Sequence, residues 1–284
     1  MTATGRAPFL ELLAARTRAV GTILCVGLDP DPAELPSGFA PDVGGVERFA
    51  RLVLDAAGRH AAAVKPNLAF WEALGPEGMA ALERVRTAVP VGLPVLVDAK
   101  RGDIGPTAAR QAVAIVDRLG ADAVTLSPYL GRDAIEPFLA RGAFAYVLCR
   151  TSNPSAGDVQ DLAVRGEDGV LPLHVAVARL VESWSAEAPG VFGLVVGATD
   201  RDGLRAVREA APTLPFLVPG VGAQGGDEAA ALHWGPARAG AAAAAPGGAL
   251  LVNVSRGITS AGLNGDPEAA IEAATRDWAA RLRC

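Results

Sequence analysis

The sequence predicts an α/β fold, specifically a (β/α)8 TIM barrel, on three observations. Eight short apolar runs recur along its 284 residues. The runs are continuous rather than alternating, which marks strands buried on both faces, as in a parallel sheet. Longer stretches with helical spacing separate them, and eight such units in one chain point to a barrel. A doubly wound open sheet is the competing architecture, but no G-x-G-x-x-G follows the first run.

The elements follow in order. A helix over residues 8–18 precedes the first strand and is placed to cap the bottom of the barrel. The first strand falls at 22–29 (TILCVGLD), the second at 61–67 (AAAVKPN), the third at 94–100 (PVLVDAK) and the fourth at 121–128 (ADAVTLSP). The fifth falls at 143–152 (AFAYVLCRTS), the sixth at 192–199 (FGLVVGAT), the seventh at 215–222 (PFLVPGVG) and the eighth at 249–256 (ALLVNVSR). Helical spacing fills 46–59, 78–88, 107–119 and 171–186. Two connections are long, 153–170 and 224–248, the second carrying the tract AGAAAAAPGG. Long loops at the carboxyl ends of barrel strands are usually lids or binding loops. No linker divides the chain, so residues 1–284 are read as one domain.

Composition narrows the function. The formal charge of −5 argues against a nucleic-acid backbone binder. No apolar run is long enough to span a membrane, and residues 1–11 lack the pattern of a signal peptide. Cys25, Cys149 and Cys284 have no close spacing, which excludes a disulfide framework or a zinc motif and suggests a reducing cytoplasm. His60, His174 and His233 are scattered and read as surface residues. Of the 26 basic residues only Lys65 and Lys100 are lysines. A GC-rich genome explains the arginine excess but not the positions of the two lysines.

Both lie at strand ends, where barrel enzymes keep their chemistry. Asp98 and Lys100 are two apart on one strand, so alternation puts them on one face. With Lys65 and Asp103 they form an array of alternating charge that would keep every member ionised. A purely structural ion-pair network is the competing reading, but buried charge costs desolvation and rarely improves stability. Other polar strand-end residues are Asp29, Asn67, Ser127, Arg150, Thr151, Ser152, Asn253, Ser255 and Arg256. A Gly-rich turn at 219–224 and Arg256 after the last strand fit a phosphate site, with backbone N–H groups of 222–224 facing the anion.

The segment Asp98-Ala99-Lys100-Arg101-Gly102-Asp103-Ile104-Gly105-Pro106-Thr107, preceded by Val95-Leu96-Val97, resembles the signature of the orotidine 5′-phosphate decarboxylases, D-x-K-x-x-D-I-[GP]-x-T. The resemblance spans nearly the whole chain, from VGLD at 26–29 to NVSRG at 253–257. The segments KPN, TSNPSA and PGVGAQGGD resemble the longer bacterial subgroup, type 2. It implies conversion of orotidine 5′-phosphate to UMP and CO2 in pyrimidine biosynthesis, without cofactor or metal.

The resemblance also implies roles. Lys100 would protonate C6 of the pyrimidine, and Asp98 would lie beside the scissile carboxylate. Lys65 and Asp103 would complete the tetrad, with Asp103 and Thr107 reaching the partner's site in a homodimer. Asp29 and Lys65 would bind ribose hydroxyls. Ser152, with Thr151 as its alternative, would contact the pyrimidine edge. Gln224 and Arg256 would hold the 5′-phosphate.

Other readings remain at this point. D-x-K-x-x-D also occurs in Mg²⁺-dependent sugar-phosphate enzymes of the same superfamily, although the continuation Ile104-Gly105-x-Thr107 fits the nucleotide enzyme. A Schiff-base aldolase using Lys65 or Lys100 and a non-catalytic nucleotide-binding barrel are the remaining alternatives.

Overall fold

A computed structural model describes residues 7–166, 169–222 and 225–284. Its strands are β1 (Leu24–Leu28), β2 (Ala63–Pro66), β3 (Leu96–Arg101), β4 (Ala123–Leu126), β5 (Phe144–Arg150), β6 (Ala163–Gly166), β7 (Gly169–Pro172), β8 (Phe192–Val196), β9 (Phe216–Val218) and β10 (Leu251–Val254). Eight of them form one parallel sheet in the order β2-β1-β10-β9-β8-β5-β4-β3. Parallel bridges Val64–Val95 and Asn67–Asp98 join β2 to β3 and close the barrel. Each of the eight predicted runs supplies one barrel strand.

Alternation along the strands sorts the side chains into two layers. Val26, Val64, Val97, Val124, Val147, Leu194, Val218 and Val252 pack outward against the helices. Cys25, Ala63, Leu96, Ala123, Tyr146, Val195, Leu217 and Leu251 fill the interior. Phe9 and Leu13 of the first helix, Phe9–Val20, join that inner cluster, with the Phe9 ring 4.9 Å from Phe144. The expected capping helix therefore plugs the barrel at the amino ends of its strands. Lys65, Asp98, Thr125 and Asn253 continue the inward positions one step further along their strands. The interior thus changes from apolar to polar towards the carboxyl ends.

The expected helices are present as Val43–Ala57, Gly75–Thr87, Gly105–Ala112 and Leu173–Glu187, the third continuing as a wider turn over Val113–Arg118. The long connection after the fifth strand, expected as a lid or binding loop, contains the antiparallel pair β6–β7. Part of the Ala-rich tract forms a short helix, Gly240–Ala243.

Candidate active site

A cavity of about 740 Å³ opens at the carboxyl ends of the strands. Asp29, Lys65, Asp98, Lys100, Ser152 and Arg256 all line it, as do Thr151, Asn253 and Ser255. Residues far apart in sequence converge here because every barrel strand ends on the same rim.

The centre is one carboxylate held by two ammoniums. Lys65 Nζ donates to Asp98 Oδ2 at 3.0 Å, and Lys100 Nζ donates to Oδ1 at 2.6 Å. The two lysines differ in reach: the Lys65 side chain is 4% exposed and that of Lys100 49%. Burial works against ionised Asp98, but Lys65 and Lys100 more than offset it and hold the carboxyl well below the usual range. Burial likewise opposes the Lys65 charge, and Asp29 and Asp98 outweigh it, so this ammonium loses its proton less readily than a free lysine. Below them, burial pushes the Cys25 thiol up to about 12, which makes it a packing residue rather than a nucleophile.

Asp29 ties three strand ends together. Its Oδ1 accepts from the Asn67 N–H at 3.1 Å and its Oδ2 from Ser255 Oγ at 2.9 Å. Gly27 makes this approach possible, since a Cβ there would lie 2.5 Å from Ser255 Cβ. The alternating array in this cavity therefore runs Asp29, Lys65, Asp98, Lys100.

Four expectations are changed or left open. Asp103 and Thr107 do not line this cavity; Asp103 Oδ1 accepts from the Ile104 N–H at 2.8 Å. Gln224 lies outside the described residues, as does residue 223 of the proposed anion-facing turn. Asp98 and Lys100 do share a site, but not through strand alternation. Val97 pairs with Val124 and Arg101 with Leu126, so four steps of β3 oppose two of β4. Lys100 takes up the excess with φ at +46°. His174 is buried rather than on the surface, its Nδ1 2.9 Å from the Gln160 carbonyl oxygen.

Thr125 and Gln160 are among the cavity residues that the sequence does not single out. Thr125, 1% exposed, replaces the nominated Ser127 as the strand-four residue of the cavity. Its inward parity with Ala123 was the available signal. Gln160 also lines the cavity, where its Oε1 accepts from the Thr151 N–H at 2.9 Å and its Nε2 donates to Thr151 Oγ1 at 2.7 Å. No sequence signal marks it. Arg150, counted among the strand-end candidates, instead braces the rim through ion pairs to Asp161 at 2.7 Å and Asp200 at 2.8 Å.

Among the described residues no three His, Cys, Asp or Glu side chains cluster as metal ligands, and no helix is long and apolar enough to cross a membrane.

Residues 22–274 match the family described as orotidine 5′-phosphate decarboxylase / HUMPS. A curated orotidine 5′-phosphate decarboxylase from Roseiflexus castenholzii is 48% identical over 264 residues, 92% of this chain and 90% of the relative. The solved OMP decarboxylase of Leishmania donovani superposes with a TM-score of 0.79 at 39% identity, covering 97% of this chain and 99% of that one. The UMP synthase of the same organism gives 0.81 at 40% identity, with 98% of this chain matching 57% of that longer one.

Proposed function

The chain belongs to the orotidine 5′-phosphate decarboxylase / HUMPS family and converts orotidine 5′-phosphate to UMP and CO2, and from that premise we propose how its residues divide the work. The observation that carries the proposal is the Lys65–Asp98–Lys100 contact on the cavity wall.

Lys100 is the proton donor. Loss of CO2 leaves an electron pair at C6, and the Lys100 ammonium stabilises it and then transfers a proton to that carbon. The neutral amine regains its proton from solvent, so one proton is consumed per turnover. The reach of Lys100 into the cavity supports this role, whereas buried Lys65 fixes Asp98 and meets the ribose with Asp29.

Asp98 faces the substrate carboxylate. Two like charges about 4 Å apart at an effective dielectric near 20 repel by roughly 4 kcal/mol. Full relief in the transition state is worth about three decades of rate. The contact with two ammoniums keeps Asp98 ionised when the second carboxylate arrives, and also weakens that repulsion. Most of the acceleration therefore comes from the fixed ammonium and from phosphate binding that closes the site and excludes water. Arg256 and residues 222–224, with Gln224, hold the phosphate, and Ser152 meets the pyrimidine edge.

The whole chain, residues 1–284, acts as one domain and works as a homodimer in which Asp103 and Thr107 enter the partner's cavity. Ile104, Tyr129 and Leu130, apolar and exposed on the loops after β3 and β4, support an interface there; Tyr129 is 88% exposed. Three unpaired cysteines support a cytoplasmic setting. The test is the absorbance change of orotidine 5′-phosphate on mixing with the protein in EDTA. Turnover in chelator is expected; turnover that needs added Mg²⁺ would overturn the metal-free mechanism.

A further inference from the structure

The excursion of β3 that presents Lys100 is held by a single hydroxyl. Where β3 leaves its register with β4, the Ala99 and Lys100 N–H groups need another acceptor. Both donate to Thr125 Oγ1, each at 3.0 Å. The same oxygen lies 2.8 Å from Asp98 Oδ1. A hydroxyl has two lone pairs and one proton. The two backbone donors fill the lone pairs, so the proton has one direction left, towards Asp98.

This hydroxyl therefore constrains three things at once: the orientation of the Asp98 carboxylate, the backbone of Ala99, and the left-handed conformation of Lys100 at φ +46°. That conformation is disfavoured for a residue with a Cβ and persists only where the surroundings over-determine it. Lys100 Nζ in turn lies on the same Oδ1 that Thr125 faces. Thr125 is 1% exposed among the barrel strands, so packing fixes its hydroxyl at the cavity wall.

We propose that Thr125 is a positioning residue for decarboxylation, acting through Asp98 and the Lys100 backbone to set where the proton-donating ammonium stands. The inference rests on the roles given above to Asp98 and Lys100. Displacing a reacting group by about 1 Å costs on the order of a hundredfold in rate.

The experiment compares Thr125→Val, which keeps the shape and removes the hydroxyl, with Thr125→Ser, which keeps the hydroxyl. Steady-state decarboxylation is measured together with UMP binding by calorimetry. The Val variant should lose kcat by about a hundredfold while KM and UMP affinity stay within about threefold, because ribose and phosphate contacts are untouched. The Ser variant should recover kcat to within about threefold of the parent. A Val variant with parental kcat, a Ser variant as impaired as Val, or a loss confined to KM would overturn the proposal. Should the Val variant not fold, Thr125→Cys supplies the test, since its thiol is a weaker donor and acceptor. Its kcat must then fall clearly below that of Ser, and equality with the parent overturns the proposal. Failure of the underlying reading is separate: it would show as activity retained in Lys100→Arg, whatever Thr125 does.

Discussion

Lys65 and Asp98 form a largely buried ion pair, Nζ to Oδ2 at 3.0 Å, with side chains 4% and 12% exposed. Such a pair adds little net stability relative to apolar packing, but it is expensive to break from one side. Lys65→Met should therefore destabilise the fold by about 3 kcal/mol, the lower end of the usual range because Lys100 still reaches Asp98. Urea denaturation of the two proteins measures it; a loss below about 1 kcal/mol would mean that the pair is solvated.

The same contacts set the acid limit of the fold. The Asp98 carboxyl sits well below its ordinary value, so the folded state binds fewer protons than the unfolded one around that value. Its contribution is complete above the unfolded pKa of about 3.9 and is lost as pH falls below it towards the folded value. Melting temperature should drop steeply below about pH 4 in the parent and less steeply in Asp98→Asn. Parallel curves for the two proteins would remove Asp98 from acid unfolding.

The strain at Lys100 makes a prediction independent of activity. A residue with a Cβ at φ +46° costs about 1–2 kcal/mol relative to an unstrained one, and glycine avoids that cost. Lys100→Gly should be more stable than Lys100→Ala by about 1 kcal/mol in chemical denaturation, and both should be inactive. Alanine as stable as glycine would show that position 100 does not need the left-handed region.

Lys100→Arg tests the chemistry. A guanidinium keeps the charge but gives up a proton far less easily and spreads its charge over a planar fork. Turnover should fall by much more than tenfold with UMP binding retained. Activity within about tenfold of the parent would remove Lys100 as proton donor.

Much of this was legible in the sequence, for identifiable reasons. Continuous apolar runs such as TILCVGLD and ALLVNVSR, short and rich in β-branched residues, fit strands with two covered faces, and all eight became barrel strands. Lys65, Asp98 and Asn253 stood out because each interrupts an apolar run at an inward position. Thr125 did not, because a single threonine in ADAVTLSP suits a buried strand as well as a site. Alternation puts Asp98 and Lys100 on one face, yet they meet through a register shift, since nothing in a lone lysine signals a left-handed backbone. β6 and β7 were missed because AVRG and GVLP carry too few alternating apolar residues to stand out in a loop.

The dimer proposal is tested by mixing variants. Asp103 and Thr107 lie outside their own subunit's cavity, and Lys100 lies inside it. If Asp103 completes the partner's site, Lys100→Ala and Asp103→Ala are each inactive alone for different reasons. In a mixed dimer one site carries both substitutions and the other carries neither. Two-fold interfaces place the same patch on both subunits, so random re-pairing should make half the dimers mixed and return about a quarter of parental activity. The readout is decarboxylation after co-dissociation and re-association of the two variants, with each variant alone as the baseline. Activity that stays at the sum of the two baselines, with exchange confirmed by a tag on one variant, would confine Asp103 to its own subunit. The exposed Tyr129 gives a second handle on the same interface. Tyr129→Glu should shift the protein towards monomer in analytical ultracentrifugation and lower activity in proportion, because each monomer would then lack the carboxylate its partner supplies.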